Sequence, residues 1–258
     1  YCKGHKGNQT MSTEQFKELY ARYQDRLQCK INLEAYFTQD SILDVKLARL
    51  NLGTLNCSSG QIIACDPFIE LEDCKPFYES IPTGSYEVLI SVALTKDCGD
   101  RYACAKLCIS DKKPVSYKMA VVAGDDLTQL DNDEESFFGF GVDAGMGCFA
   151  DYNGQQAFKH YWQERLAEDD SIDPYNDLFD DELEKSYHNQ PQYQREGGDW
   201  CNFTIPNTNE NIIIFASGWG DGYYPCYFGY DENGKVCAMY ILFIDIESEF
   251  APDDNGGE

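Results

Sequence analysis

NIIIFASGWGDGYYPCYFGYDENGKVCAMYILFIDIE, residues 211–247, is the stretch whose reading decides the fold. NIIIFAS reads as a buried strand, and CYFGYDENGKVCAMYILFIDIE reads as a hairpin folded at Asn233-Gly234, since an Asn-Gly pair suits the positive φ angles of a two-residue turn. That register sets Cys237 opposite Tyr230 and Cys226 opposite Ile241, which argues against a disulfide joining the two cysteines. Between strand and hairpin, the glycines of SGWGDGYYP (217–225) let the backbone reverse. Strands met at sharp corners predict antiparallel sheet.

The chain upstream extends the same pattern. GSYEVLISVAL (84–94), YACAKLCIS (102–110) and YKMAVVAG (117–124) read as three strands of a meander. SGQIIACDP (59–67) is a turn and a short strand stopped by Pro67, which restrains Asp66 to an extended backbone. SFFGFGVDAGMGCFAD (136–151) begins as a strand and breaks up into glycines. Two helices flank this material. STEQFKELYARYQDRL (12–27) has Ser12 and Gln15 at capping-box spacing and Phe16, Leu19, Tyr20, Tyr23 and Leu27 on one face. NGQQAFKHYWQERLAE (153–168) carries Phe158, Tyr161, Trp162 and Leu166. Residues 168–200 form an acidic, hydrophilic insertion read as a surface excursion or mobile loop. The expected fold is therefore α+β, β-rich and mostly antiparallel, with an N-terminal helix and one internal helix. One domain is expected over 12–250, between a flexible polar leader (1–11) and a frayed tail (251–258). Regular strand–helix alternation is missing, which argues against a Rossmann-type sheet.

Charge narrows the partners. Against 20 Lys and Arg stand 45 Asp and Glu, a formal net charge of -25. Such a surface repels phosphate backbones and argues against direct nucleic-acid binding. Basic proteins, or divalent cations shared between carboxylates, suit it better. The longest apolar run, AMYILFI (238–244), has strand length and falls short of the roughly 20 residues of a membrane helix. Twelve cysteines, sequons at Asn8, Asn56 and Asn202, and a start at Tyr1 point to an exported chain, secreted or in the cell envelope, with several disulfides. A cytoplasmic chain is the alternative. Cys2, almost at the tip of the leader, raises a lipid anchor. Cys104 and Cys108 share a strand face about 13 Å apart and cannot bridge one another. No C-x-x-C occurs, so a zinc ribbon or thioredoxin-type site is unsupported.

Three segments, SGQIIACDPF (59–68), FGFGVDAGMGCFAD (138–151) and SGWGDGYYPCYFGYDENGKV (217–236), occur in an order that resembles the bacterial proteins catalogued as domain of unknown function 4241. IPTGSYEVLISVA (81–93) fits the same pattern, and the resemblance runs from about residue 55 to residue 247. It implies a fold region and a motif order, and brings no activity with it.

Each of the three segments ends a β run with an aspartate within two residues of glycine or proline: Asp66, Asp143 and Asp221. Gathered at one sheet edge, these carboxylates could bind Ca²⁺ or Mg²⁺, or divide into acid and base. Aspartate and glycine also recur at turns without chemistry, because the carboxylate accepts nearby backbone N–H groups. Trp219, Tyr223 and Tyr224 around Asp221 form either a ligand-facing aromatic wall or core. Ser217 lacks the first glycine of a nucleophile elbow, and Cys148 has no histidine near a recognisable motif. In the acidic insertion, Tyr175, Leu178, Phe179, Leu183 and Tyr187 are apolar anchors within a negative field, suited to a basic partner as in an inhibitor or immunity protein. A solvated loop is the alternative reading. The expectation is a non-enzymatic protein-interaction or ligand-binding module without a cofactor. The alternative is a carboxylate-dependent metal-binding protein or hydrolase using the three aspartates, with Ca²⁺ or Mg²⁺.

Overall fold

The strands form two sheets, and the smaller is buried along the whole length of its two inner strands. The computed structural model describes residues 11–132 and 136–251. In chain order its first strands are β1 (Gln28–Cys29), β2 (Ser41–Ile42), β3 (Val45–Cys57), β4 (Ile62–Cys65), β5 (Gly84–Thr95), β6 (Gly99–Cys108) and β7 (Ser116–Met119). The remainder are β8 (Gly139–Val142), β9 (Met146–Asp151), β10 (Trp200–Thr204), β11 (Asn211–Ala216), β12 (Gly222–Tyr230) and β13 (Val236–Leu242). The helices are α1 (Thr13–Tyr23), α2 (Ala35–Thr38), α3 (Tyr152–Glu168), α4 (Asp180–Asn189) and α5 (Ile246–Glu249).

The larger sheet runs β1-β7-β12-β13-β6-β5-β3-β2, with β8 added to the start of β12, and the smaller runs β10-β11-β9-β4. Every pairing between named strands is antiparallel. The smaller sheet is the buried layer. Every residue of β11 and β9 is buried, because one face meets the larger sheet and the other is covered by helix. On the helical side Tyr161 of α3 lies 6.3 Å from Phe203 of β10; on the other, Phe215 of β11 lies 6.1 Å from Phe243, just past β13.

Helix α1 has the capping box read from the sequence: Gln15 N–H donates to Ser12 Oγ, and Ser12 N–H to the Gln15 side chain. Its apolar face closes a separate small core with Val121, Leu127, Leu130 and Phe138. Beside that core, Tyr20 and Tyr230 both donate their hydroxyls to Glu79.

The structure corrects several expectations. The meander is interrupted, since β13 lies beside β6 while β7 sits between β12 and β1. The loop after β11 does not close a hairpin but carries the chain from the smaller sheet into the larger. The β12–β13 connection is a four-residue turn in which Gly234 N–H donates to Asp231 O at 2.9 Å. Only Gly234 takes positive φ there, 71°, because the Asp231 carboxylate binds the amides of Asn233 and Lys235 and fixes a tighter geometry. Cys226 faces Ile241 as read, yet a bulge after Gly229 sets Tyr230 against Val236, so Cys237 does not face Tyr230.

The insertion is no loop: a π-helical turn (Tyr175–Phe179) runs into α4, so the chain has more internal helix than the single one expected. Asp199, buried behind it, accepts Arg195 Nε at 2.8 Å and closes the segment on itself. All eleven described cysteines are free thiols, against the several disulfides expected. Asn56 and Asn202 lie half-buried in strands with their side-chain amides donating to Asn209 O and Leu52 O. Cys2, Asn8, the rest of the leader up to residue 10, and residues 252–258 lie outside the described residues. Among the described residues no helix is long and apolar enough to cross a membrane.

Candidate functional site

The three motif segments meet at the turn between β8 and β9. Asp66, just past β4 and 1% exposed, accepts the N–H of Asp143 at 2.9 Å and of Ala144 at 2.8 Å through Oδ2. Its Oδ1 accepts Phe68 N–H at 3.0 Å. A carboxylate can be this deeply buried because three amides replace its hydration. Asp221 reaches the next residue of the same turn, its Oδ1 accepting Gly145 N–H at 3.1 Å. Gly145 is held on its other side as well, since its carbonyl accepts Ser217 N–H at 3.1 Å. Two aspartates thus divide three successive amides. Asp143 contributes its backbone, and its side chain is exposed.

The loop from Ser217 to Gly222 is fastened in turn. Gly220 O accepts both the Ser217 hydroxyl and the Tyr224 hydroxyl, each at 2.8 Å. Tyr224 is a core residue, its ring packed edge-on against Phe243 at 5.0 Å, and burial raises its phenol above the ordinary value. Gly218 has φ 61°, and a Cβ there would lie 2.9 Å from Phe243 Cβ, so the corner requires glycine.

Trp219 and Tyr223 take the opposite role. Trp219 is 42% exposed, its indole donating to Glu249 Oε2 at 2.8 Å while the Arg101 guanidinium stands 5.6 Å from the ring centre. Tyr223 is 51% exposed and leans on exposed Phe137, ring centres 5.5 Å apart. Its hydroxyl accepts Gly139 N–H at 3.1 Å, tying it to the first residue of β8. Phe137 belongs to the surface set and sequence reading missed it. The signal was available: in SFFGF, Phe138 and Phe140 are buried and alternation turns Phe137 outward.

Tyr223 stands on the rim of two cavities. One, of about 570 Å³, is lined by Glu70, Asp73, Cys74, Phe77, Asp125 and others. Burial there pushes the Asp125 carboxyl above its usual range, although it accepts Val122 N–H at 2.7 Å. The second, about 550 Å³, is lined on its apolar side by Met119, Phe137 and Phe243, with Asp245 and Glu249 at its edge.

The anchors expected in the acidic insertion divide differently. Phe179 and Leu183 are corrections: both are buried in their own chain, Phe179 lying 5.7 Å from Phe158 and 5.4 Å from Phe203. Amphipathic helix formation turned them inward. Tyr175 stays 43% exposed, edge-on to Phe68 at 5.2 Å, while Leu178 and Tyr187 are half-buried. Among the described residues, no three Cys, His, Asp or Glu side chains converge as a metal-ligand set.

The model of the family described as protein of unknown function DUF4241 matches residues 55–241, and the chain belongs to that family. All three aspartate-bearing segments that meet at the β8–β9 turn begin inside this span, while α1 and β1 through most of β3 precede it. Searches of curated proteins and of solved structures each returned no match.

Proposed function

We propose that this DUF4241 chain is a non-enzymatic interaction module, and that it takes a basic protein partner on the rim formed by Phe137, Trp219 and Tyr223. The observation that carries this reading is the use of the motif aspartates. Both Asp66 oxygens and one of Asp221 hold backbone amides, so these carboxylates build the corner that presents the aromatic rings. Charge chooses the partner. Asp143, Asp221 and Glu249 are exposed around the rings, Asp245 is partly so, and the whole chain carries -25. Acidic groups ringing exposed aromatics steer a cationic partner in and hold it by burying the rings. An inhibitor of a basic protein is one form such a module takes.

Selection of a random displayed peptide library on the wild type, with counter-selection on Phe137→Ala/Tyr223→Ala, tests the reading. The expected outcome is enrichment of peptides combining Lys or Arg with an apolar residue, binding the double variant about tenfold or more weakly, as loss of an aromatic hot spot requires. Enriched peptides that are acidic, or that bind both proteins equally, would overturn it.

A further inference from the structure

Two thiols pair where the smaller sheet borders the first cavity, and a third lies at the cavity wall. Cys65 on β4 and Cys148 on β9 are direct partners across an antiparallel pair. Both are fully buried, with their sulfurs 3.7 Å apart. Partnered Cα atoms in such a pair lie roughly 4.5–5.5 Å apart, within the span of a disulfide. Cys74 comes in from the turn after β4, and its thiol donates to Ala64 O at 3.7 Å, the carbonyl of the residue that precedes Cys65. Its backbone is fixed on both sides: its N–H donates to Glu70 O at 2.8 Å, and its carbonyl accepts Gln155 Nε2 at 2.6 Å. Cys74 is only half-buried and lines the cavity of about 570 Å³. The three sulfurs are therefore graded, one facing the cavity and two behind it.

We infer that Cys74 is a peroxide-reactive thiol and that Cys65 and Cys148 receive its oxidation as a disulfide. The oxidant is a hydroperoxide, small enough to enter the cavity. The Cys74 thiolate attacks the terminal oxygen, the O–O bond breaks, and an alcohol, or water from hydrogen peroxide, leaves with a proton. Cys74 is then a sulfenic acid. The Cys65 sulfur attacks Cys74, an S–S bond forms, and hydroxide leaves as water with the Cys65 proton. Cys148 next attacks Cys65, giving the Cys65–Cys148 disulfide, while Cys74 departs as thiolate and the Cys148 proton is released or returned to it. The balance is two thiols oxidised by two electrons and one peroxide reduced. Access favours this direction: Cys74 is half-buried at the cavity wall, while Cys65 is fully buried and its thiol is held well above the ordinary value by hydrogen bonding to neighbouring thiols and by burial. This inference does not rest on the binding proposal.

The test treats reduced full-length chain with one equivalent of hydrogen peroxide, alkylates the remaining thiols, and maps them by tandem mass spectrometry. Cleavage at acidic residues separates Cys65 from Cys74 at Glu70. The expected product joins Cys65 to Cys148, and Cys148→Ser should halt the chemistry at a Cys65–Cys74 disulfide. Cys74→Ser should lose the fast phase, slowing thiol loss about tenfold or more, whereas Cys98→Ser, at the exposed cysteine of the β5–β6 turn, should leave it unchanged. Oxidation confined to Cys98, wild-type rates in Cys74→Ser, or Cys74 carried to sulfinic acid with Cys65 still free would each overturn the inference. The wild-type map stands whether or not a variant folds.

Discussion

Asp66 Oδ2 accepts the backbone amide of Asp143 at 2.9 Å, so the aspartate of one family segment binds the main chain of the next and does not meet its carboxylate. Asp221 completes the pattern from the third segment, on the amide of Gly145. The three aspartates are near neighbours because they assemble one turn. Their energetic weights differ, since Asp66 is buried and Asp221 is exposed.

Asp66→Asn should therefore destabilise the protein by about 2–3 kcal/mol, because a donor NH₂ replaces an oxygen facing buried N–H groups. Asp221→Asn should cost less than about 1 kcal/mol, its bond being in contact with water. Urea midpoints at constant slope measure both. Equal effects would mean that Asp66 does not anchor the turn.

Adjacent tyrosines should respond oppositely. Tyr224 is packed on Phe243 and bonded to Gly220 O, so Tyr224→Ala should cost about 3 kcal/mol or more. Tyr223 is half exposed, and Tyr223→Ala should stay within about 1 kcal/mol of wild type while weakening selected ligands. Thermal melts beside peptide titrations separate the two effects.

A polar hub away from the rim makes a third case. Glu34, at the start of α2, accepts Lys106 Nζ at 2.8 and 2.6 Å and the Tyr240 hydroxyl at 2.5 Å. The pair is largely shielded from solvent, with 13% and 17% side-chain exposure for Lys106 and Glu34. Lys106→Met should cost about 3 kcal/mol by stranding the carboxylate, and adding Glu34→Leu should recover part of that loss. Additive losses in the double-mutant cycle would show the two charges to be uncoupled.

Stability should fall in alkali. Burial, followed by neighbouring carboxylates, raises the phenols of Tyr20, Tyr230 and Tyr240 above their ordinary value. In the unfolded chain these groups titrate near pH ~10, so above that pH the unfolded state binds fewer protons than the native one. Their contribution is complete below pH ~10 and is lost as pH rises toward the native values. Denaturant midpoints measured from about pH 8 to about pH 11 should decline at the alkaline end, and the phenolate absorbance of these tyrosines should rise only as the chain unfolds. A flat profile with free phenolate in the native state would contradict the burial.

Much of this was legible in the residues, and the failures share a cause. Periodicity located α1 with its capping box, α3 and nearly all the long strands, since each depends on local pattern. Partner choice depends on the whole chain: β12 and β13 separate β6 from β7, and no local signal records that. The Asn233-Gly234 turn failed because the Asp231 carboxylate bound two amides and left only Gly234 at positive φ. The insertion was misread because acidic composition masked the helical spacing of Phe179 and Leu183, which turns both inward. At the site, Asp66 and Asp221 could be named from sequence, but their attachment to a single turn appears only when β4, β8, β9 and β12 are brought together.

Amide hydrogen exchange, read residue by residue with chelator present, tests the role of the motif aspartates most directly. Asp66→Asn should accelerate exchange at Asp143 and Ala144 while sparing Gly145, and Asp221→Asn should accelerate Gly145 alone, without any added metal. If the three amides exchange alike in all the proteins, the aspartates are not anchors, and if they are protected only once Ca²⁺ or Mg²⁺ is supplied, the aspartates are ligands; either result overturns the interaction-module account.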